Sequence, residues 1–160
     1  MVSAESLTDR TGVGSDAKLE RLLRLLFDSK RFEVEQGSYR STKSPNILDS
    51  GGLGPCIAIG VINEGRAFML HTPMIQADTT TGSFFRALTK SIPAAKRKRC
   101  IVIVAGGDAS PGPFPEYEGA NDDSEVLFAR EHAIDLLTKH GFVATHVEWC
   151  PPRMSHTLEI

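Results

Sequence analysis

The chain has 160 residues, with 18 basic and 20 acidic side chains and a net charge of −2. This length suffices for one domain with an ordinary core, and the balanced charge excludes functions that need a strongly basic surface, such as binding nucleic acid or an anionic membrane. Three scattered cysteines, Cys56, Cys100 and Cys150, suit neither a disulfide framework nor a zinc knuckle. No apolar run approaches the roughly 18 to 20 residues of a membrane helix, so we expect no membrane insertion and a reduced, cytoplasmic protein.

The first part of the chain predicts a leader, a helix and a short strand. Residues 1–14 are polar and are expected to form a flexible leader, so that the single domain comprises residues 15–160. Leucines recur at helical spacing over residues 16–29, which predicts an amphipathic helix whose apolar stripe is core or docking surface. The alternating segment 32–35 predicts a short strand, and the polar segment 37–45 is typical of a loop.

A glycine-rich turn and a hairpin follow. Residues 46–48 predict a short strand that leads into the turn Ser50–Cys56. The apolar run 57–62 and the run 66–71 predict two strands, and the intervening Asn63–Gly65 predicts a tight turn that makes them antiparallel neighbours.

The remaining elements alternate between helix and strand. Apolar spacing predicts a helix over residues 83–92, a central strand over 100–105 that ends at Gly106–Asp108, a helix over 124–140 and a strand over 142–149. The expected fold is therefore α/β in the α+β sense, a two-layer or sandwich arrangement with a mixed, largely antiparallel sheet covered by helices.

Cys56 and His71 are the candidate catalytic pair. Cys56 begins the first strand of the hairpin, and His71 ends the second strand, fifteen positions later (71 − 56). In an antiparallel hairpin these two positions meet at one edge of the sheet, where an imidazole can take a proton from a thiol. The alternative is that Cys56 is a buried small hydrophobic residue and that His71 is a surface or capping residue. For Cys100 and Cys150 we expect packing roles.

The turn Ser50–Cys56 resembles the nucleophile motif of the CheD-like chemotaxis deamidases, Thr-Leu-Gly-Leu-Gly-Ser-Cys followed by an apolar strand. Phe68-Met69-Leu70 resembles the Val-Met-Leu that follows the catalytic histidine of that family. By this alignment the family histidine corresponds to Ala67, so His71 stands four residues later. The family shares its fold with deamidating toxins such as the cytotoxic necrotizing factors, in which the connection between cysteine and histidine varies.

The resemblance implies a role for each residue of the turn. Cys56 would be the nucleophile, His71 its base, and Ser50, which replaces the family threonine, would orient the imidazole. Backbone N–H groups of Cys56 or of the glycine turn, at Gly52 and Gly54, would hold the oxyanion of the tetrahedral intermediate. Pro55 replaces a serine of the family and removes one backbone donor.

The implied function is a cysteine-dependent deamidase that converts glutamine side chains of a target protein to glutamate through a thioester, without metal or other cofactor. The substrate would be a chemoreceptor, another signalling protein or, if the chain is a delivered effector, a host protein. The alternative is a catalytically inactive relative that binds a signalling partner protein. A papain-like protease is disfavoured because its cysteine begins a helix, whereas Cys56 begins a strand.

Overall fold

A computed structural model describes residues 18–23, 28–73, 79–109, 123–151 and 154–160. The expected leader of residues 1–14 lies outside these ranges. Among the described helices, none has the length and apolar character needed to cross a membrane.

The described residues alternate between strands and helices. In chain order the strands are β1 (Arg31–Glu33), β2 (Ser38–Lys43), β3 (Ile47–Gly52), β4 (Ile57–Asn63), β5 (Arg66–Thr72), β6 (Ile101–Gly106), β7 (His146–Trp149) and β8 (Thr157–Glu159). The helices are α1, described over residues 18–23, α2 (Thr79–Ser91), α3 (Ala94–Arg97) and α4 (Asp123–Lys139).

These strands form two mixed sheets. The larger has the order β2-β5-β4-β6-β7, and the smaller has the order β1-β3-β8. Strands pair antiparallel throughout, except that β1 runs parallel to β3 and β6 runs parallel to β7. The predicted fold class, a mixed and largely antiparallel α+β architecture, is confirmed.

One face of the larger sheet packs against helices. Alternate residues of β4, namely Ile57, Ile59 and Val61, are buried in a core that also contains apolar residues of α2 and α4. The helical contributions share the inward-facing positions of their helices: Phe84, Phe85, Leu88, Ala129, Ala133 and Leu137. The apolar spacing of each helix matches this single buried face.

The other face of the larger sheet packs against the smaller sheet. Ala58 and Met69 lie there with Leu48 of β3 and Leu158 of β8. A Cβ at Gly60, in the middle of β4, would lie 2.8 Å from the Cδ1 of Ile160. Glycine at this position therefore allows the C-terminal strand to approach the sheet closely.

The antiparallel hairpin is confirmed, and its register pairs Asn63 with Arg66 and Ala58 with His71. The two-residue connection Glu64–Gly65 has positive φ at both positions, 47° and 73°. This is the type I′ conformation, whose twist matches that of antiparallel strands.

Three local predictions were wrong. The segment 37–45, interpreted as a loop, contains β2, which is an edge strand paired with β5 through its backbone and therefore needs no apolar pattern. The short strand β8 was not predicted. The strand expected over residues 142–149 is limited to β7, His146–Trp149.

Of the helix expected over residues 16–29, the structure describes residues 18–23 as helical, and Leu19, Leu22 and Leu23 are exposed there. Within this part the stripe of leucines is a surface feature rather than core.

Candidate active site

Cys56 ends a tight turn and directly precedes the first residue of β4. The Cys56 N–H donates to the carbonyl oxygen of Leu53 at 2.6 Å, which closes a four-residue β-turn. Gly54 has a φ of +39° in this turn, and a Cβ there would meet nothing within 4 Å. The turn therefore requires an unusual backbone at Gly54 and leaves open space beside it.

The pair Gly106–Gly107, at the end of β6, holds the turn in position. The Gly107 N–H donates to the Cys56 carbonyl at 2.7 Å, and the Asp108 N–H donates to the Gly54 carbonyl at 2.8 Å. Gly106 has a φ of +101°, and a Cβ there would collide with the Cys56 carbonyl oxygen. From the sequence, Gly106–Asp108 was interpreted as the end of a strand; a Gly-Gly pair at the end of a buried strand is the signal for a close backbone approach.

His71 lies at the same edge of the sheet as Cys56. It pairs with Ala58 in the β4–β5 ladder, and the Gly107–Cys56 hydrogen bond continues the β4–β6 ladder by one residue. Ala58 lies opposite His71, and Cys56 precedes Ala58 by two residues, just outside β4, so Cys56 and His71 belong to the same edge of the sheet. Ala67, which the family alignment matches to the histidine, pairs with Ile62, toward the far end of β4.

The imidazole of His71 is held in one tautomer. Its Nδ1 lies 2.9 Å from the carbonyl oxygen of Val34, and because a carbonyl can only accept, Nδ1 carries the proton. Nε2 is then the atom with the free lone pair. It is buried and has no hydrogen-bond partner among the described residues, and the whole side chain is only 5% exposed. The role of Val34 could not be predicted from the sequence, because the group that contacts His71 is a backbone carbonyl and not a side chain.

The Cys56 thiol is protonated at rest. Burial raises its pKa above the ordinary value, and the side chain is 8% exposed. No hydrogen bond joins Cys56 to His71, since Nδ1 binds Val34 and Nε2 is unpartnered. The direction of the pKa shift is opposite to that expected for a preformed thiolate at neutral pH.

No hydrogen bond joins Ser50 to His71. Its hydroxyl donates to the Gly51 carbonyl at 2.9 Å and accepts from the Leu158 N–H at 2.9 Å. These bonds tie β3 to β8, and the side chain is 2% exposed. The orienting position that the resemblance gave to Ser50 is occupied by the Val34 carbonyl.

The expected oxyanion donors have different surroundings. The Cys56 N–H is used by Leu53, and Gly52 lies within β3 opposite Thr157. Among the hydrogen bonds of the described residues, none engages the Gly54 N–H. Gly54 is therefore the member of the predicted set with a free backbone donor beside Cys56.

A cavity of about 560 Å³ lies against the turn. Residues 52–56 form one side, and the other lining residues described are Gln36, Pro73, Glu125, Val126 and Ser155. Cys56 thus borders a space large enough for a side chain of a substrate, and His71 is not among the lining residues described.

Cys150, the second thiol near this edge of the sheet, has the surroundings of a packed residue. The Cys150 N–H donates to the Gly106 carbonyl at 2.9 Å, and burial raises the pKa of its thiol. The described residues contain no cluster of three or more His, Cys, Asp or Glu side chains that could hold a metal ion.

No protein-family model matches the chain, and no curated protein matches its sequence. The case for a function therefore depends on the geometry of Cys56, His71 and the turn.

Proposed function

We propose that the chain is a cysteine-dependent amide hydrolase that deamidates glutamine side chains of a target protein. One observation carries the proposal: the Nε2 of His71 is a buried atom without a hydrogen-bond partner among the described residues, at the sheet edge that also holds Cys56. A buried polar atom without a hydrogen bond costs about 1–3 kcal/mol of stability. Such an atom is therefore expected where a functional partner acts on it.

The Val34 carbonyl orients the imidazole of His71, the proposed base. By accepting from Nδ1–H, it fixes the tautomer in which Nε2 accepts a proton. It also stabilises the imidazolium that forms after proton transfer. This is the role that the resemblance gave to Ser50.

The chemistry proceeds in two balanced steps. The Cys56 sulfur attacks the carboxamide carbon while its proton moves to Nε2 of His71, and the new oxyanion accepts a hydrogen bond from the Gly54 N–H. The imidazolium then protonates the departing ammonia, which leaves a thioester. In the second step water attacks the thioester as Nε2 takes its proton; the proton passes to the sulfur, glutamate is released and the thiol is restored.

The raised pKa of Cys56 determines when its proton moves. Because burial raises the pKa of the Cys56 thiol, its proton moves to Nε2 during attack and not before substrate binding. No hydrogen bond joins Cys56 to His71, so the two side chains must approach each other when the glutamine is bound. Catalytic hydrogen bonds are often long in a free enzyme.

The substrate class follows from the resemblance and the cavity. A CheD-like deamidase acts on glutamine within a folded protein, and the open space beside Gly54 admits one extended side chain. By that resemblance the target is a chemoreceptor or another signalling protein in the cytoplasm, or a host protein if the chain is a delivered effector.

A catalytically silent binding module is the second candidate. The raised pKa of Cys56 and the absence of a hydrogen bond to His71 favour it. In that case the cavity and turn would bind a signalling partner without reaction, and Cys56 would be replaceable by serine at no cost in function.

The test is ammonia release from a glutamine dipeptide, carbobenzoxy-Gln-Gly, and from a library of glutamine-containing peptides. We expect release by the wild type and by Cys100→Ser, and none by Cys56→Ser. Mass spectrometry of the acid-quenched reaction should detect an acyl adduct on the peptide that contains Cys56. Release that persists in Cys56→Ser would overturn the mechanism; no release and no adduct with any glutamine probe would favour the silent binding module.

A further inference from the structure

Arg130 links α4 to the turn that carries Cys56. Its Nε donates to the carbonyl oxygen of Gly107 at 2.8 Å, and this contact spans 23 positions in the sequence. Gly107 in turn donates its N–H to the Cys56 carbonyl at 2.7 Å. The two hydrogen bonds form a chain from the helix, through one glycine, to the backbone of the nucleophile.

The Arg130 side chain is itself held in place. Its guanidinium carbon lies 5.1 Å from the centroid of the Trp149 ring, within the range of a cation–π contact. Trp149 lies opposite Gly106 in the β6–β7 ladder, so the ring is fixed beside the same pair of glycines. Arg130 is therefore oriented by Trp149 and hydrogen-bonded to Gly107.

Glycine at position 107 is needed for this arrangement. A Cβ at Gly107, where φ is +64°, would lie 3.3 Å from both Cγ and Nε of Arg130. A larger residue at 107 would press on the arginine side chain and would also strain the backbone at this positive φ. Close contact and a charge-assisted hydrogen bond together restrict the Gly107 peptide groups on both sides.

We propose that Arg130 is a positioning residue for Cys56: through Gly107 it fixes the nucleophile turn at the distance and angle from which the sulfur reaches the substrate and Nε2 of His71. The consequence for catalysis rests on the proposed deamidase function, but the positioning of Cys56 does not. Misplacing a reacting group by about 1 Å is enough to lower a rate by about 10²-fold.

The test compares Arg130→Met, which keeps the apolar stem and lacks the donor, with Arg130→Lys, which keeps a cationic donor. The measurement is the iodoacetamide alkylation rate of Cys56, with Cys100 and Cys150 as reference thiols in the same sample. We expect a drop of about tenfold or more in Arg130→Met and a partial recovery in Arg130→Lys. Arg86→Met is the matched control, because the Arg86 guanidinium bonds Ser83 within its own helix; its Cys56 rate should equal that of the wild type.

A double variant separates positioning from general loosening. His71→Asn should slow Cys56 alkylation in the wild type and should have no further effect in Arg130→Met, because a displaced thiol no longer reaches the imidazole. Additive effects, an unchanged rate in Arg130→Met, or equal acceleration at all three thiols would overturn the proposal.

On carbobenzoxy-Gln-Gly, the Arg130→Met variant should lose kcat with KM unchanged. If no variant or wild type deaminates any probe while the alkylation pattern holds, the proposed function fails and the positioning role stands.

Discussion

The segments that precede β4 and β6 have the same sequence pattern, but their cysteines have different surroundings. Each carries a buried cysteine directly before an apolar strand, and burial raises the pKa of both thiols. The sulfur of Cys100 lies within hydrogen-bond distance of the Lys96 carbonyl, at 3.6 Å, and of Asn63 Oδ1, at 3.8 Å. Cys56 instead borders a cavity. The surroundings of the sulfur, and not its place in the strand, therefore distinguish a packed thiol from a candidate nucleophile.

The backbone around the two thiols differs in the same way. Cys100 follows the helical turn of α3, and its N–H bonds the Arg97 carbonyl, within the same local segment. Cys56 is fixed by a distant part of the chain, Gly106–Asp108. Long-range hydrogen bonds of this kind are what a site needs when a nucleophile must be held in one orientation.

The largest effect is expected from Gly106→Ala. The new Cβ would collide with the Cys56 carbonyl oxygen at a φ that only glycine adopts readily, so we expect a loss of about 3 kcal/mol or more in the free energy of unfolding. Urea denaturation measures it. Gly37→Ala is the matched control, since Gly37 also has a positive φ, +76°, but a Cβ there meets nothing within 4 Å. Equal losses in the two variants would contradict the account of Gly106 as a clamp on the turn.

His71→Asn should have the next largest effect, on activity. Asparagine can still donate to the Val34 carbonyl but has no atom in the place of Nε2, so we expect a decrease in kcat of about 10²–10⁴-fold with little change in stability. Initial rates on the glutamine probe and thermal unfolding measure the two quantities. His71→Ala also leaves the Val34 carbonyl unpaired, and it should lose stability as well. Full activity in His71→Asn would remove His71 from the mechanism.

Ser50→Ala should affect stability alone. It leaves the buried Leu158 N–H without its acceptor, which costs about 1–2 kcal/mol, while Cys56 alkylation stays at the wild-type rate. Chemical denaturation and peptide mapping of the alkylated protein measure these outcomes. A loss of Cys56 reactivity at unchanged stability would instead support the orienting role that the resemblance gave to Ser50.

The smallest effect is a dependence of stability on alkaline pH. Burial raises the pKa of Cys56 and, with the nearby charge of Glu64, that of Cys100, above the ordinary value of 9.0. The stabilisation is complete below the unfolded-state pKa and is lost as the pH rises through the higher folded-state pKa, because the unfolded chain releases these protons first. Urea denaturation from about pH 7 to about pH 10 should show a shallower decline in Cys56→Ser than in the wild type. Parallel declines would contradict the direction of the shift.

The hairpin could be predicted from the sequence because its signal is local. Two apolar runs flank Asn63–Gly65, and the type I′ turn fixes the register that brings His71 to the edge of Cys56. The helix-facing core followed from periodicity for the same reason. Fold class and the place of the candidate pair were thus accessible to sequence reasoning.

The contacts that hold the site in place could not be predicted from the sequence, because they are backbone contacts between distant segments. Val34 acts through its carbonyl, and Gly107 acts through its N–H, so neither side chain suggests the role. Ser50 was assigned by resemblance, whereas its partner is the N–H of Leu158 in a strand that was not predicted. The raised pKa of Cys56 depends on burial, which follows from the packing of the whole domain.

The most direct measurement is the pH profile of Cys56 alkylation beside that of Cys100, in the wild type and in His71→Asn, with each thiol followed by peptide mass mapping. We predict that Cys56 reacts about tenfold faster than Cys100 from about pH 7 up to 9.0, the ordinary pKa of both thiols, and that His71→Asn removes this advantage. Equal rates for the two thiols, or a Cys56 rate that is unchanged in His71→Asn, would contradict a Cys56–His71 catalytic pair.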